Sequence, residues 1–126
     1  MMFTIPLWMN PIPHQGGIKI GVKYGKAYTY KDDRLASFQQ QFAMLLRSEI
    51  NKTSFKRIEG DYEISCTFYF KDKRHGDPTN CWKTIEDACE GQLFGNDKNA
   101  SDIRLIRRYD KLNPRIELSI LPANGV

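Results

Sequence analysis

Two patterns of apolar and polar residues predict the main elements of the fold. Residues 61–71 alternate, with Tyr62, Ile64 and Phe68 among those on one face, which is typical of a half-buried strand. Residues 32–50 instead place apolar side chains at helical spacing, which predicts an amphipathic helix. Its apolar stripe consists of Leu35, Phe38, Phe42 and Leu45.

The remaining segments predict a mixed fold. Residues 2–9 indicate a strand that ends at the turn "NPIP", and residues 14–31 are rich in glycine and lysine without any acid, which favours an extended arm or a loose hairpin. Residues 101–109 and 115–121 predict a hairpin around "DKLNP". With a second helix between strands, these elements predict one α/β domain of mixed α+β type over residues 1–126, with a small mixed sheet and two main helices.

Composition adds three expectations. The net charge of +4 and the pI near 9.0 favour a polyanionic partner. No apolar run approaches the roughly 20 residues that cross a bilayer, and "MMFTIPLWM" lacks the features of a signal peptide, so we expect a cytoplasmic protein without a membrane partner. The three cysteines, Cys66, Cys81 and Cys89, have no metal-binding spacing and are expected to be reduced, packed thiols.

The segment "GDPTNCWKTIEDACEGQLFGND", residues 76–97, concentrates acidic charge. It holds five acids and one lysine, a net charge of −4, so the rest of the chain carries +8. Asp77 suits a helix N-cap, Pro78 the first helical position and Gly91 the C-terminal stop, which predicts a short helix over residues 78–90.

At 100° per residue, this helix has a polar stripe and an apolar side. The stripe comprises Asn80, Lys83, Thr84 and Asp87, with Asp77 at its N-terminal mouth; Cys81, Trp82, Ile85, Ala88 and Cys89 are expected to pack on the sheet. Asp97 follows on a glycine-containing loop. If these carboxylates converge, they suit Mg²⁺, which takes one or two carboxylates and substrate phosphate, and a nearby lysine can stabilise the transition state of phosphodiester cleavage.

Each of these residues also has a structural interpretation. Asp77 can serve only as an N-cap, and Asp97 only as the cap of a turn. Glu86 and Glu90 can be solvated helix charges. Lys83 and Asp87, four residues apart, can form a surface ion pair.

The segment resembles the signature of the RusA family of Holliday-junction endonucleases, especially its phage and prophage members. That signature is an acid-x-acid-Asn run, a lysine three residues later, an Asp-Ala four further on, and an aspartate that ends the following loop. The corresponding residues here are Asp77-Pro78-Thr79-Asn80, Lys83, Asp87-Ala88 and Asn96-Asp97. The stretches "FTIPLWMNPIP" and "KAYTYKDDR" also resemble the N-terminal half of the family.

The resemblance implies a Mg²⁺-dependent homodimer, with Mn²⁺ as a possible substitute, that cuts four-way DNA junctions by paired nicks in a bacterial host or a phage-infected cell. It implies metal ligands at Asp77 and Asp97, a catalytic lysine at Lys83, and supporting roles for Asn80 and Asp87. This chain departs from the signature at Thr79 and Asn96, where the family often has acids. It also has "HQGGIK" where the family often has arginines.

The basic residues expected to contact DNA fall into three groups: Lys19, Lys23 and Lys26 on the arm, Lys73 and Arg74 before the acidic segment, and Arg104 and Arg108 on one strand. The apolar stretch "FTIPLWM" is a candidate for the dimer interface, with burial in the chain's own core as the alternative. Two other functions stay open: a junction- or duplex-binding protein without catalysis, and an unrelated α/β interaction module.

Overall fold

The computed structural model describes residues 1–14 and 18–123. It contains two α-helices and six strands in the order β1, β2, β3, α1, β4, α2, β5, β6. Their bounds are β1 Met2–Pro6, β2 Ile18–Lys23, β3 Lys26–Lys31, α1 Asp33–Asn51, β4 Tyr62–Phe70, α2 Pro78–Cys89, β5 Ala100–Tyr109 and β6 Arg115–Pro122. A single turn of 3-10 helix, Asp97–Asn99, precedes β5. The expected mixed α+β fold is confirmed.

The main sheet has the strand order β1-β6-β4-β5. β4 is a central strand with a neighbour on each side, and its alternating pattern buries every second residue from Tyr62 to Phe70 against the helices. It pairs with β6 in the antiparallel direction and with β5 in the parallel direction. The helix α2 connects β4 to β5, so these three elements form a βαβ unit in which α2 runs antiparallel to both strands.

The predicted hairpin of residues 101–109 with 115–121 is wrong. Both strands exist, but β4 lies between them in the sheet. The physical reason is burial: β6 buries alternate residues and needs a neighbour on each side, whereas β5 is mostly exposed and suits the sheet edge. A short connection between two strands therefore does not determine their pairing.

The core lies between one face of the sheet and the two helices. Phe3, Ile5 and Leu7 are buried in it, so of the two interpretations of "FTIPLWM" the burial in the chain's own core is confirmed for these residues. Only Trp8 of that stretch remains 40% exposed among its large apolar residues, and its ring stacks on Phe38 of α1 with centroids 5.0 Å apart. The three cysteines are free and buried, as expected.

The β2–β3 pair forms a separate two-stranded ribbon. Its turn has Tyr24 and Gly25 at φ values of 52° and 74°, the positive pair that a tight hairpin turn with two central residues requires. The predicted arm is thus a hairpin within residues 18–31; the start of the arm at residues 15–17 lies outside the described residues. Among the described helices, none is long and apolar enough to cross a bilayer.

Candidate active site and nucleic-acid interface

Asp77 caps the N-terminus of α2. Its side chain accepts the backbone N–H of Asn80 at 2.8 Å, and the exposed carboxylate stands at the helix mouth. The preceding His75 stacks on Phe70 and its Nε2 lies 2.8 Å from the Tyr109 hydroxyl. Asp77 therefore lies at the carboxyl ends of β4 and β5, the end of a parallel pair where ligands commonly bind. Capping engages one carboxylate oxygen, so the structural and chemical roles of Asp77 are compatible.

The predicted polar stripe on α2 is partly wrong. Lys83 and Asp87 are exposed, as expected, but Thr84 is fully buried. The Thr84 hydroxyl donates to the carbonyl of Ile12 at 2.6 Å. A threonine hydroxyl can be buried without loss when it finds such an acceptor. The buried side of α2 therefore extends to Thr84, and Lys83 marks the centre of the exposed face.

Asp87 forms an ion pair with Lys31 of the ribbon and not with Lys83. Its Oδ2 lies 3.7 Å from Lys31 Nζ and 3.5 Å from His14 Nε2, and the amide of Gln39 donates to it at 3.3 Å. The Lys31 ammonium also donates to Gln39 at 2.7 Å. These contacts favour a positioning role for Asp87. Within the described residues, no ion pair includes Lys83, so its ammonium is available at the surface.

Asp97 lies at the opposite end of α2 from Asp77. It begins the turn before Ala100, which pairs with Tyr62 at the start of β4, whereas Asp77 lies at the other end of that strand. The 12 residues of α2 between them rise about 18 Å. One chain therefore does not bring the two predicted metal ligands together.

Asp97 instead lies near Glu86. Burial raises the pKa of the Glu86 carboxyl, and the negative charge of Asp97 adds to this effect. The nearby Trp82 indole N–H and the positive charge of Lys83 offset part of the rise. That indole N–H and the Tyr62 hydroxyl are buried without a hydrogen bond of standard geometry. Burial raises the pKa of the Tyr62 hydroxyl well above its usual range, and the charges of Glu86 and Asp97 add to the effect, so the phenol stays neutral.

The described residues of one chain do not form a complete metal site. In residues 1–14 and 18–123, no group of three or more His, Cys, Asp and Glu side chains is arranged to hold a metal ion. Burial and the Asp77 carboxylate raise the pKa of the neighbouring Cys81 thiol to about 11, so it is neither an anionic ligand nor a nucleophile near neutral pH. A single chain thus offers separated carboxylates at the two ends of α2.

A basic cleft of about 660 Å³ opens beside the Asp77 end of α2. Its walls include Lys73 and Arg74, two of the residues expected to contact DNA, together with Arg34 and Lys71, which were not among them. The signal for Lys71 was present in the run "KDKRHGD", but Arg34 joins the cleft only through the packing of α1. We call this cavity, with its four cationic residues Arg34, Lys71, Lys73 and Arg74, the basic cleft.

Two polar side chains hold the walls of the basic cleft together. The Asn10 amide donates to Asp72 at 2.9 Å and to the carbonyl of Arg74 at 3.1 Å, and its oxygen accepts the N–H of Lys71 at 2.8 Å. Asp72 also accepts the N–H of Arg74 at 2.9 Å, and this bond holds the pKa of the Asp72 carboxyl below its usual range. The cleft is therefore preorganised before any anion enters.

The other predicted DNA contacts divide between two places. Lys19, Lys23 and Lys26 lie on the ribbon, whose root is beside α2. Arg104 and Arg108 are exposed on β5, but the pairing of Cys66 with Leu105 places them on the sheet face opposite to the helices. They are separated from the Asp77 end of α2 by the sheet itself.

Comparison with known proteins identifies the family. The chain matches the family described as endodeoxyribonuclease RusA over residues 11–121 of its 126 residues. A comparison with curated protein sequences finds no significant match. The matched range includes both ends of α2, the basic cleft and the ribbon, and the chain belongs to the RusA family of endodeoxyribonucleases.

Proposed function

We propose that this protein is a Mg²⁺-dependent endonuclease that resolves four-way DNA junctions by paired nicks. The observation that carries the proposal is the family match over residues 11–121. Three features support it: a carboxylate at the mouth of α2, a lysine nearly two turns further along that forms no ion pair with another described residue, and a preorganised basic cleft beside them. Family membership argues against the alternative of an unrelated interaction module.

The active site is proposed to form between two chains. A two-fold axis perpendicular to α2 near its midpoint reverses the direction of the helix in the partner. The partner subunit's Asp97 then comes beside Asp77, and the symmetric contact forms a second site. This arrangement is supported by the position of Asp77 and Asp97 at opposite ends of α2, a helix about 18 Å long, and by the exposed face of α2 around Lys83.

The two-chain site accounts for the expected need for Mg²⁺, or for Mn²⁺ in its place. Mg²⁺ binds one or two carboxylates together with substrate phosphate, and a bound ion activates water and stabilises the leaving oxygen. Asp77 of one chain and the partner subunit's Asp97 would supply those carboxylates. Thr79 and Asn96 leave fewer acids than the family often has, so both carboxylates are needed for one site.

The remaining residues of the site hold the DNA and the developing charge. Lys83 is free to approach the scissile phosphate, where its ammonium stabilises the extra charge of the transition state. The basic cleft is proposed to hold the backbone of one arm of the junction. Asp87 positions the ribbon through Lys31, also contacts His14, and is not proposed to touch the metal.

Two active sites related by a two-fold axis match the near two-fold symmetry of a four-way junction, which needs a nick in each of two opposed strands. The test is incubation of the purified chain with a synthetic four-way junction, with Mg²⁺ or with a chelator, and with a linear duplex of the same sequence as control. We expect paired nicks in the junction only with Mg²⁺. A chain that binds the junction but cleaves nothing with Mg²⁺, or with Mn²⁺ in its place, would contradict the proposal.

A second candidate is a junction-binding protein without catalysis, for which Asn96 is the specific observation. Its side chain accepts the backbone N–H of Lys98 at 2.9 Å and caps the turn before β5, so it has a structural task where the family often has an acid. Binding of the junction without cleavage in the assay above would favour this candidate.

A further inference from the structure

The β2–β3 ribbon has two chemically different faces. Residues that pair across an antiparallel ladder share a face, so the register assigns each side chain to one of them. One face, here called the Lys/Tyr face, carries Lys19, Lys23, Lys26, Tyr28 and Tyr30. The opposite face carries Ile20, Val22, Ala27 and Thr29. All nine of these side chains are exposed, so neither face belongs to the core.

The two tyrosines form an open aromatic surface at the middle of the Lys/Tyr face. Their ring centroids are 5.7 Å apart, and the side chains are 46% and 47% exposed. Tyr28 lies across Gly21 on the neighbouring strand, since a Cβ added at Gly21 would be only 2.6 Å from the ring carbon Cζ. The glycine lets the ring lie against the ribbon backbone, which covers one side of the ring and leaves the other side to solvent.

Lysines flank this aromatic surface at both ends. Lys19 pairs with Tyr30 toward the root of the ribbon, and Lys23 pairs with Lys26 at the tip. Four residues of extended chain separate Lys19 from Lys23, a distance of about 14 Å. The contacts of Lys31 with Asp87 and Gln39 fix the root beside α2, so the ribbon projects from the same part of the domain as the proposed active site.

We infer that the Lys/Tyr face binds unpaired bases of DNA, which stack on Tyr28 and Tyr30 while the lysines hold the flanking phosphates. Alternation of aromatic rings and cations is how proteins bind single-stranded nucleic acid without reading its sequence. A duplex buries the faces of its bases, so it can reach only the lysines. This inference rests on the proposed function in one respect: the branch point of a junction provides bases that unstack easily, and the ribbon would thereby favour branched DNA over linear duplex.

The test measures binding without cleavage. The full chain is titrated in a chelator against a fluorescent single-stranded deoxyoligonucleotide and against the duplex of the same sequence. Replacement of both tyrosines, Tyr28→Ala with Tyr30→Ala, is expected to weaken single-strand binding about tenfold or more and to leave duplex binding little changed. The matched control is Thr29→Ala, which lies between the tyrosines on the opposite face and is expected to bind both ligands like the wild type.

Replacement of both tyrosines by phenylalanine keeps the rings and is expected to retain single-strand binding, which also guards against a ribbon that unfolds in the alanine variant. Equal losses for single strand and duplex, no loss for single strand, or a phenylalanine variant as weak as the alanine variant would each overturn the inference. The proposed function is tested separately. A chain that resolves junctions yet binds single strands independently of the tyrosines would refute only the ribbon, and one that uses the tyrosines yet cleaves no junction would refute only the nuclease.

Discussion

The two roles of Asp77 can be separated by three substitutions at this one position. Asn and Ser are both good N-cap residues, so Asp77→Asn and Asp77→Ser keep an acceptor for the N–H of Asn80 that now bonds to the carboxylate at 2.8 Å. Neither variant keeps the negative charge that a metal ligand needs. Asp77→Ala removes both the cap and the charge.

The expected magnitudes follow from the capping contact. Loss of an N-cap side chain costs about 1 kcal/mol, which for a chain of this length lowers the melting temperature by about 3–6 °C. Asp77→Ala should show this loss. Asp77→Asn should lose only the attraction between the carboxylate and the helix dipole, about 0.3–1 kcal/mol. All three variants should lose cleavage by orders of magnitude, because the chemistry depends on the charge.

The assay pairs thermal unfolding with cleavage of a four-way junction in Mg²⁺, and junction binding in a chelator serves as the control for an intact DNA surface. Junction binding by Asp77→Asn should equal or exceed that of the wild type, because a negative charge near phosphate is removed. If Asp77→Asn cleaves like the wild type while Asp77→Ala is merely less stable, Asp77 is only a cap and the reasoning about the metal is refuted.

Three further predictions concern Lys83, the basic cleft and Glu86. Lys83→Ala should reduce the single-turnover cleavage rate far more than junction affinity, and equal losses would show that the lysine only anchors phosphate. Reversal of Lys73 and Arg74 to glutamate should weaken junctions of every sequence alike and reduce the slope of log affinity against log salt by about 2; a loss that depends on sequence would indicate base readout instead. The pKa of the Glu86 carboxyl is higher in the folded chain than in the unfolded one. Ionisation of Glu86 therefore lowers the stability of the fold as the pH rises from the unfolded-state pKa through the folded-state pKa. Glu86→Gln should therefore raise the melting temperature at neutral pH and not at a pH below 4, and the opposite pH dependence would contradict the assigned shift.

Local structure could be predicted well from the sequence because it depends on neighbouring residues. The alternation of residues 61–71 gives β4, and the sequence of Asp77, Pro78 and Gly91 gives α2 with its cap and its stop. Gly91 indeed has a φ of 87°, the left-handed conformation that favours glycine after a helix. These features need no knowledge of distant contacts.

Features that depend on distant contacts were missed. The burial of Thr84 depends on a carbonyl 72 residues earlier in the chain, and the entry of Arg34 into the basic cleft depends on how α1 packs. The separation of Asp77 from Asp97 follows from the parallel pairing of β4 with β5, which forces the connecting helix to run the full length of the strands. The matching positions of a signature fix the order of residues along the chain but not the chain to which each ligand of a site belongs.

The central claim, that one active site takes Asp77 from one chain and Asp97 from its partner, is tested most directly by mixing two inactive variants. Asp77→Asn and Asp97→Asn chains are each expected to be inactive alone. In a mixed dimer with sites built across the interface, one site receives both substitutions and the other receives neither. After subunit exchange, an equal mixture should regain about a quarter of the wild-type sites and should give single nicks in the junction instead of paired ones. A mixture that stays inactive although mixed dimers are present would contradict the claim.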